Sequence, residues 1–187
     1  RVIIADRNAE GAAETAAACG GGARAVTVDL AVPGAAVALV EGVFAAEARL
    51  DLLVSNAGIG TGRRLLKADL DDPSVARLFE INTFTAIRLA QAYVAELEAR
   101  GQHGRLMITG SENSLSVPPS IRGFGMGLYA ASKHAVLALA EWLRDELEGA
   151  GKPLTAHVLL PGAVYTPLVA RDLPADPASW PAKSMMI

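Results

Sequence analysis

The sequence predicts one doubly wound α/β domain, in which a parallel sheet is flanked by helices. Strand-like and helix-like segments alternate along all 187 residues, and such alternation is typical of linked βαβ units. The strand-like segments are short and apolar at successive positions, as expected where helices cover both faces of a parallel sheet. A composition of 51% hydrophobic and 20% charged residues is sufficient for a single core.

The first half of the chain predicts three strands and two helices. The strands are residues 1–6, 24–29 and 51–55, and the helices between them are residues 9–19 and 33–49. The first helix is rich in alanine, which has the highest helix propensity, and Gly20-Gly21-Gly22 ends it. Pro33 is expected in the first turn of the second helix, where a missing amide hydrogen costs little.

The second half continues the alternation with two long helices and two strands. The helices are residues 73–100 and 128–150, and the strands are residues 105–109 and 154–160. Gly101 is expected to end the first long helix, because glycine readily takes the left-handed conformation that closes a helix. Residues 1–187 are therefore predicted to form a single domain. We expect this domain to be incomplete at both ends, since the chain opens inside a strand and shows no closing strand.

Composition argues against several classes of function. The net charge is −3 and no basic patch is evident, so nucleic acid is not an expected partner. The apolar stretches are too short to span a membrane, and no signal peptide is visible. The single cysteine, Cys19, allows no internal disulfide and suits a reducing cytoplasm. The three histidines show no metal-ligand spacing, so no metal is expected.

Tyr129 and Lys133 point most directly to chemistry. They are four residues apart in a predicted helix and so share one face, although this spacing also arises by chance. An ammonium group beside a phenol favours the phenolate, which should lower the pKa of Tyr129 from about 10 toward neutrality. Such a tyrosine can exchange a proton at physiological pH. With Ser111 holding the substrate oxygen, the group would handle the proton of an alcohol–carbonyl redox reaction.

Acidic residues end the first two predicted strands, at Asp6 and Asp29. In dinucleotide-binding folds, a carboxylate at a strand end hydrogen-bonds the ribose hydroxyls of the adenosine. We expect Asp6 to do so, and Asp29, followed by Leu30, to accept the adenine amino group. The Asp6 carboxylate would repel a 2′-phosphate and favours NAD, whereas the Arg7 guanidinium could receive that phosphate and favours NADP. NAD is the expected cofactor and NADP the alternative.

The third predicted strand ends in Ser55-Asn56-Ala57-Gly58. Small residues let a backbone approach a ligand closely, although the segment could also be an ordinary tight turn. All three strand ends would share the carboxyl edge of the sheet, where such folds bind ligands. A Gly-rich phosphate loop should lie about 20 residues before Asp6, which places it outside this sequence. Gly20-Gly21-Gly22 does not replace it, because it follows a helix rather than a strand.

Together these motifs resemble the short-chain dehydrogenase/reductase family, which has a Rossmann-like fold. The resemblance covers nearly the whole chain, in the family's order and at similar spacing. The matching positions are Asp6, Asp29-Leu30, Ser55-Asn56-Ala57-Gly58, Asn82, Thr109-Gly110-Ser111, Tyr129, Lys133 and Pro161-Gly162-Ala163-Val164-Tyr165-Thr166. Two features depart from the family pattern. The Thr-Gly-x-x-x-Gly-x-Gly loop is missing, and the interval between Ser111 and Tyr129 is several residues longer than usual.

The resemblance implies an NAD(P)-dependent oxidoreductase that interconverts a secondary alcohol and a ketone by hydride transfer. Tyr129 would be the general acid or base, Lys133 would lower its pKa and hold the nicotinamide ribose, and Ser111 would fix the reacting oxygen. Asn82 would position a water that links Lys133 to solvent. The residues expected to contact the cofactor are Asp6, Arg7, Asp29, Leu30, Asn56, Ala57, Gly58, Tyr129, Lys133, Pro161, Gly162 and Thr166.

Four residues are candidates for contact with the substrate. Glu112 and Asn113 follow Ser111, where the family often has small or apolar residues, and they could contact a polar group; the alternative is an exposed loop. Phe124 and Leu168 could line an apolar pocket. The longer interval before the catalytic tyrosine is rich in proline and glycine, so it is either a loop at the pocket mouth or a surface excursion without function.

Two helices also predict an assembly. Residues 73–100 and 128–150 are apolar over more than one stripe, and a second apolar face indicates a partner besides the sheet. The family commonly pairs these helices across a two-fold axis, so a homodimer or homotetramer is expected. The alternative is a pair of helices fully buried inside a monomer.

Other functions are open at this point. The fold could belong to a catalytically inactive nucleotide-binding protein or to a fragment, although the set of Asn82, Ser111, Tyr129 and Lys133 favours an active enzyme. A halohydrin-type lyase would carry arginine in place of Lys133. A methyltransferase of similar fold would not need the Tyr–Lys pair.

Overall fold

The computed structural model describes residues 1–117 and 125–162. It confirms an α/β arrangement of parallel strands flanked by helices. The strands are β1 (Ile3–Asp6), β2 (Arg24–Thr27), β3 (Leu52–Ser55), β4 (Gly104–Thr109) and β5 (Leu154–Leu159). The α-helices are α1 (Ala9–Cys19), α2 (Ala35–Ala46), α3 (Pro73–Phe79), α4 (Thr85–Arg100) and α5 (Gly127–Gly149). Short 3-10 turns lie at Leu65–Lys67 and Glu112–Ser114.

Two helices differ from their predicted form. The second helix begins at Ala35, because Gly34 has φ of 82° and caps the helix in a left-handed conformation. Pro33 therefore precedes this helix and does not lie in its first turn. The predicted helix at 73–100 is divided by a π-helical turn, Glu80–Phe84, between α3 and α4. Such turns insert one extra residue into a helix and are frequent at functional sites.

The strands form two parallel sheets, one of β1 and β2 and one of β3, β4 and β5. Within the described residues, β1 and β3 are each hydrogen-bonded to one neighbouring strand. Apolar residues beside these strand edges, Val2, Leu52 and Val54, are 47%, 42% and 45% exposed. All pairings are parallel, so the carboxyl ends of the strands in each sheet lie at one edge.

The core lies between the three-stranded sheet and helices α2, α4 and α5. Its fully buried members include Val40, Tyr93, Leu97, Leu106 and Val136. Each such apolar side chain contributes about 1.5–3 kcal/mol on burial. The Tyr93 hydroxyl donates to the Leu50 carbonyl at 2.5 Å, and burial raises the pKa of Tyr93 to about 12. This packing fixes the ends of β4 and α5, which carry the candidate site.

Among the described residues, every helix is too short or too polar to serve as a membrane span.

Candidate active site

Ser111 lies directly after β4, at the start of a 3-10 turn. Its hydroxyl oxygen accepts a hydrogen bond from the Asn113 amide at 3.2 Å. The Ser111 amide in turn donates to the Ser114 hydroxyl at 3.1 Å, which completes a capping box. Ser111 is 7% exposed. The turn thus fixes both the backbone and the side chain of Ser111 in one orientation.

Tyr129 and Lys133 lie in the first two turns of α5, on the face that meets the end of β4. Lys133 is 4% exposed, and its ammonium donates to the Thr109 carbonyl at 2.8 Å. The Lys133 Nζ atom is 5.9 Å from the centre of the Tyr129 ring. Ser111 hydrogen-bonds the Tyr129 phenol. The structure therefore brings together the three residues that the sequence assigned to proton transfer.

The pKa of Tyr129 shifts in the direction opposite to the one expected from the sequence. Burial raises the pKa of this phenol above its usual value, and the hydrogen bond with Ser111 offsets only part of that effect. Burial also lowers the pKa of Lys133, to about 8. The Lys133 ammonium is bound to a backbone carbonyl of β4 and lies over the Tyr129 ring, so proximity does not lower the phenol's pKa here. Tyr129 is therefore a neutral phenol at physiological pH.

Asn82 lies in the π-helical turn and is 3% exposed. Its side-chain oxygen accepts from the Ile59 amide at 2.8 Å, and its side-chain nitrogen donates to the Ile59 carbonyl at 2.9 Å. The same nitrogen contacts the Ser132 hydroxyl at 3.0 Å, which donates to the Tyr129 carbonyl at 2.7 Å. The Asn82 side chain, expected to position a water, thus joins the loop after β3 to the helix that carries Tyr129.

Ile59 and Ser132 were not identified from the sequence as part of this site. Ser132 lies inside the Tyr-Ala-Ala-Ser-Lys segment, so its position beside Lys133 was the available signal. Ile59 takes part only through its backbone amide and carbonyl. Any residue type supplies these groups, so no signal for this position was available from the sequence.

An open cleft lies at the carboxyl ends of β1, β2 and β3. The residues that line it are Ala5, Asp6, Arg7, Val28, Asp29, Leu30, Ala57, Gly58, Ile59, Arg77 and Ile81. Six of the predicted cofactor residues are among them, and Arg77 of α3 is an addition that the sequence did not suggest. Asp6 and Arg7 are exposed at the rim. The cleft therefore places two carboxylates and two guanidinium groups side by side.

Gly58 connects this cleft to the catalytic residues. A Cβ atom at this position would lie 3.6 Å from the Asn82 side-chain oxygen and 3.7 Å from the Lys133 ammonium. The Gly58 backbone thus lies close to both groups, and the close approach of this segment to a ligand stays a prediction. Asn56, two residues earlier, is exposed and does not line the cleft.

The segment after β5 meets the turn that carries Ser111. The Glu112 amide donates to the Pro161 carbonyl at 2.9 Å, and a Cβ atom on Gly162 would lie 3.6 Å from the Glu112 carboxylate. Asn113 is 5% exposed, and its side-chain oxygen is buried without a hydrogen-bond partner. Asn113 is therefore not part of an exposed loop.

Several predicted positions lie outside the described residues. These are Phe124, Thr166 and Leu168, together with most of the Pro/Gly-rich interval before α5. The end of that interval is described: Gly125 has φ of 69°, and a Cβ there would come within 2.6 Å of the Gly62 carbonyl oxygen. Glycine is required at this close approach. Across residues 1–117 and 125–162, no cluster of His, Cys, Asp and Glu is arranged to hold a metal.

Comparison with known proteins places this site in a family. A family model for short chain dehydrogenases matches residues 1–176. The 1-deoxy-11-beta-hydroxypentalenate dehydrogenase of Streptomyces avermitilis is 35% identical over 173 residues, which cover 90% of this chain and 61% of that protein. The chain thus spans about three fifths of this relative's length.

Solved structures show the same relationship. A short-chain dehydrogenase/reductase from Burkholderia phymatum in complex with NAD matches with a TM-score of 0.80 and 27% identity, over 91% of this chain and 59% of that one. The RhlG/NADP active-site complex of Pseudomonas aeruginosa matches with the same TM-score and identity, over 95% and 68% of the two chains. With these matches and the family model, the chain belongs to the short-chain dehydrogenase/reductase family.

Proposed function

We propose that this protein is an NAD(P)-dependent oxidoreductase that interconverts a secondary alcohol and a ketone, with Tyr129 as the general acid or base. The observation that carries this proposal is the grouping of Ser111, Tyr129 and Lys133 at the end of β4, beside a cleft formed by three strand ends. A hydroxyl and a phenol joined by a hydrogen bond, with an ammonium 5.9 Å from the centre of the phenol ring, can bind and protonate one oxygen atom.

The residues of the cleft fit a nicotinamide dinucleotide. Asp6 uses one carboxylate oxygen to accept from the Asn8 amide at 2.8 Å, which leaves its second oxygen for the ribose hydroxyls. Asp29 and Leu30 would contact the adenine, and the Gly58 segment leads toward Lys133 for the nicotinamide ribose. The bound cofactor would supply the hydride acceptor or donor. We favour NAD, because the exposed Asp6 carboxylate would repel a 2′-phosphate; Arg7 is the group that would permit NADP.

In the direction of reduction, the Tyr129 phenol would donate its proton to the substrate carbonyl oxygen. The raised pKa of Tyr129 suits this role, since the phenol holds its proton across the neutral range. The Ser111 hydroxyl would hydrogen-bond the same oxygen and fix its position. In the direction of oxidation, the ionised Tyr129 would take the hydroxyl proton. Glu112 and Asn113 are proposed to contact a polar part of the substrate.

Cofactor binding and ketone reduction together test the proposal. NADH and NADPH binding to the purified full-length protein would be followed by fluorescence, and oxidation of each by absorbance with a panel of aliphatic and cyclic ketones. We expect binding of at least one cofactor, turnover of some ketones, and loss of turnover in Ser111→Ala with binding retained. Cofactor binding with no turnover of any ketone or alcohol would favour the catalytically inactive alternative. Failure to bind either cofactor would overturn the proposal.

We also propose that the protein forms a homodimer or homotetramer through α4 and α5. Phe84, the last residue of the π-helical turn before α4, is 46% exposed, and Trp142 of α5 is 68% exposed. Large apolar side chains exposed on two helices are typical of a surface that a partner covers. The two-fold pairing common in the family would bury both.

A further inference from the structure

Arg77 of α3 contacts Asp29, which lies two residues after β2 and 48 residues away in the chain. One guanidinium nitrogen of Arg77 lies 2.8 Å from Asp29 Oδ2 and 3.1 Å from Asp29 Oδ1. The Ala31 amide donates to Oδ1 at 3.0 Å. The two side chains remain 35% and 36% exposed and both line the cleft. The pair therefore belongs to the cleft wall rather than to the core.

After these hydrogen bonds, the Asp29 carboxylate has one free acceptor position. The donors, Ala31 and Arg77, fix the direction in which it points. A carboxylate oxygen can accept about two hydrogen bonds, and arginine can only donate. Oδ1 already has two donors, from Ala31 and Arg77, whereas Oδ2 has one. The free position is therefore on Oδ2, and the two fixed donors prevent the carboxylate from turning.

We propose that Arg77 is a positioning residue that holds Asp29 with this acceptor toward the bound dinucleotide, so that the site selects a 6-amino purine over a 6-oxo purine. The inference rests on the proposed function. An exocyclic amino group would donate to Oδ2. A 6-oxo group would place a second acceptor against a carboxylate, which is unfavourable.

A purely stabilising role accounts less well for this pair. Ion pairs that are one-third exposed contribute little to stability. The chain has a comparable pair on the same helical segment, Arg88 with Glu80, that lies outside the cleft. The hydrogen bond from Arg77 also lowers the pKa of Asp29, with the Ala31 amide next in importance. Asp29 thus stays an acceptor throughout the neutral range.

The decisive variant is Asp29→Asn. The Ala31 amide would keep the variant's amide oxygen at the Oδ1 position, and the amide nitrogen at the Oδ2 position would then lie 2.8 Å from the Arg77 nitrogen, which can only donate. The amide nitrogen would then replace Oδ2 and present a donor to the purine. The variant should therefore lose the preference for the 6-amino purine, and it should prefer the 6-oxo purine only when Arg77 no longer repels the amide nitrogen.

The experiment measures binding of NAD and of nicotinamide hypoxanthine dinucleotide by titration calorimetry on the full-length protein. We expect the wild type to prefer NAD by about tenfold, the value of one hydrogen bond to a charged group. Arg77→Met should reduce that preference at least threefold. Asp29→Asn should abolish it, and the double variant Asp29→Asn, Arg77→Met should reverse it. Arg88→Met is the matched control and should behave as the wild type.

The outcomes separate the inference from the proposed function. If the wild type binds neither dinucleotide, the proposed function fails. The role of Arg77 is refuted if the wild type prefers NAD, Arg77→Met keeps the preference of the wild type, and the double variant keeps the preference of Asp29→Asn. The proposed function would stand in that case. Thermal unfolding of each variant checks folding. If Arg77→Met does not fold, Arg77→Lys replaces it, since a lysine keeps the charge but lacks the planar guanidinium and should weaken the preference.

Discussion

The side-chain amide of Asn82 pairs with both backbone groups of Ile59, accepting from its nitrogen at 2.8 Å and donating to its oxygen at 2.9 Å. Through Ser132, the same amide reaches the carbonyl of Tyr129. One buried side chain thus sets the position of the cleft loop relative to the helix that carries the proposed acid. This makes the geometry of the site sensitive to Asn82 even though its side chain has no free donor directed at a substrate.

Asn82→Ala should lower both stability and turnover. The change leaves the Ile59 groups and the Ser132 hydroxyl without their partner, and the free energy of unfolding should fall by about 2 kcal/mol. Urea unfolding followed by circular dichroism measures this. Asn82→Asp is a second test of the same bridge, because its carboxylate can still accept from the Ile59 amide but cannot donate to the Ile59 carbonyl. A loss of similar size is expected. An unchanged urea midpoint in both variants would show that the amide bridge carries no stability.

Tyr129→Phe should keep cofactor binding and lose turnover. The variant removes only the phenolic oxygen, so the packing of α5 is preserved. The rate should fall by about 10²–10⁴, the usual contribution of general acid–base catalysis. Steady-state kinetics with a ketone, alongside fluorescence titration of the reduced cofactor, gives both quantities. A variant that keeps more than about a tenth of the wild-type rate would show that Tyr129 is not the general acid.

Lys133→Met should stabilise the protein at neutral pH. Burial lowers the pKa of Lys133 from its ordinary 10.5 to about 8, so the folded state carries the cost of a buried ammonium. Removing that cost should raise the free energy of unfolding by roughly 3 kcal/mol at pH 7, of which the lost hydrogen bond to Thr109 offsets about 1 kcal/mol. The wild-type protein would then be less stable than the variant because it keeps Lys133 in the proposed active site.

The pH dependence gives this prediction a second readout. Between pH 8 and 10.5 the unfolded lysine binds more protons than the folded one, so wild-type stability should rise with pH in this window relative to the variant. Urea unfolding of both proteins at pH 7, 8.5 and 10 measures the difference. A difference that does not shrink between pH 7 and 10 would mean that Lys133 is not buried in the charged form.

The pattern of elements and the chemistry of single residues were accessible from the sequence, because periodicity and strand-end residues reflect local structure. The π-helical turn at Asn82 was not, since the apolar pattern from residue 73 to residue 100 continues through it without interruption. The pKa of Tyr129 was predicted in the wrong direction. Spacing shows that Lys133 is near, but it does not show that burial dominates or that the ammonium binds Thr109. The contact of Arg77 with Asp29 joins distant segments and depends on tertiary packing.

The rate of ketone reduction should be constant below about pH 7.5 and fall above about pH 8. The raised pKa of Tyr129 keeps the proton donor intact across this range, whereas Lys133 loses its charge as the pH passes its pKa of about 8. The pH profile of kcat/KM reports groups of the free enzyme and is the measurement to make. In Lys133→Arg the charge persists, so the fall near pH 8 should disappear. A fall near pH 8 that remains in that variant would belong to another group.

Trp142→Glu should convert the proposed oligomer to monomers. Trp142 is 68% exposed on α5, and burying such a side chain against a partner would contribute several times the thermal energy. A carboxylate at the centre of that interface would be buried without a partner, which disfavours association. Sedimentation velocity of the full-length protein measures the state of assembly. Leu66→Glu is the matched control, because Leu66 is equally apolar and fully exposed but lies outside α4 and α5. A wild-type protein that sediments as a monomer would refute the proposed oligomer, and a Trp142→Glu variant that stays assembled would place the contact elsewhere.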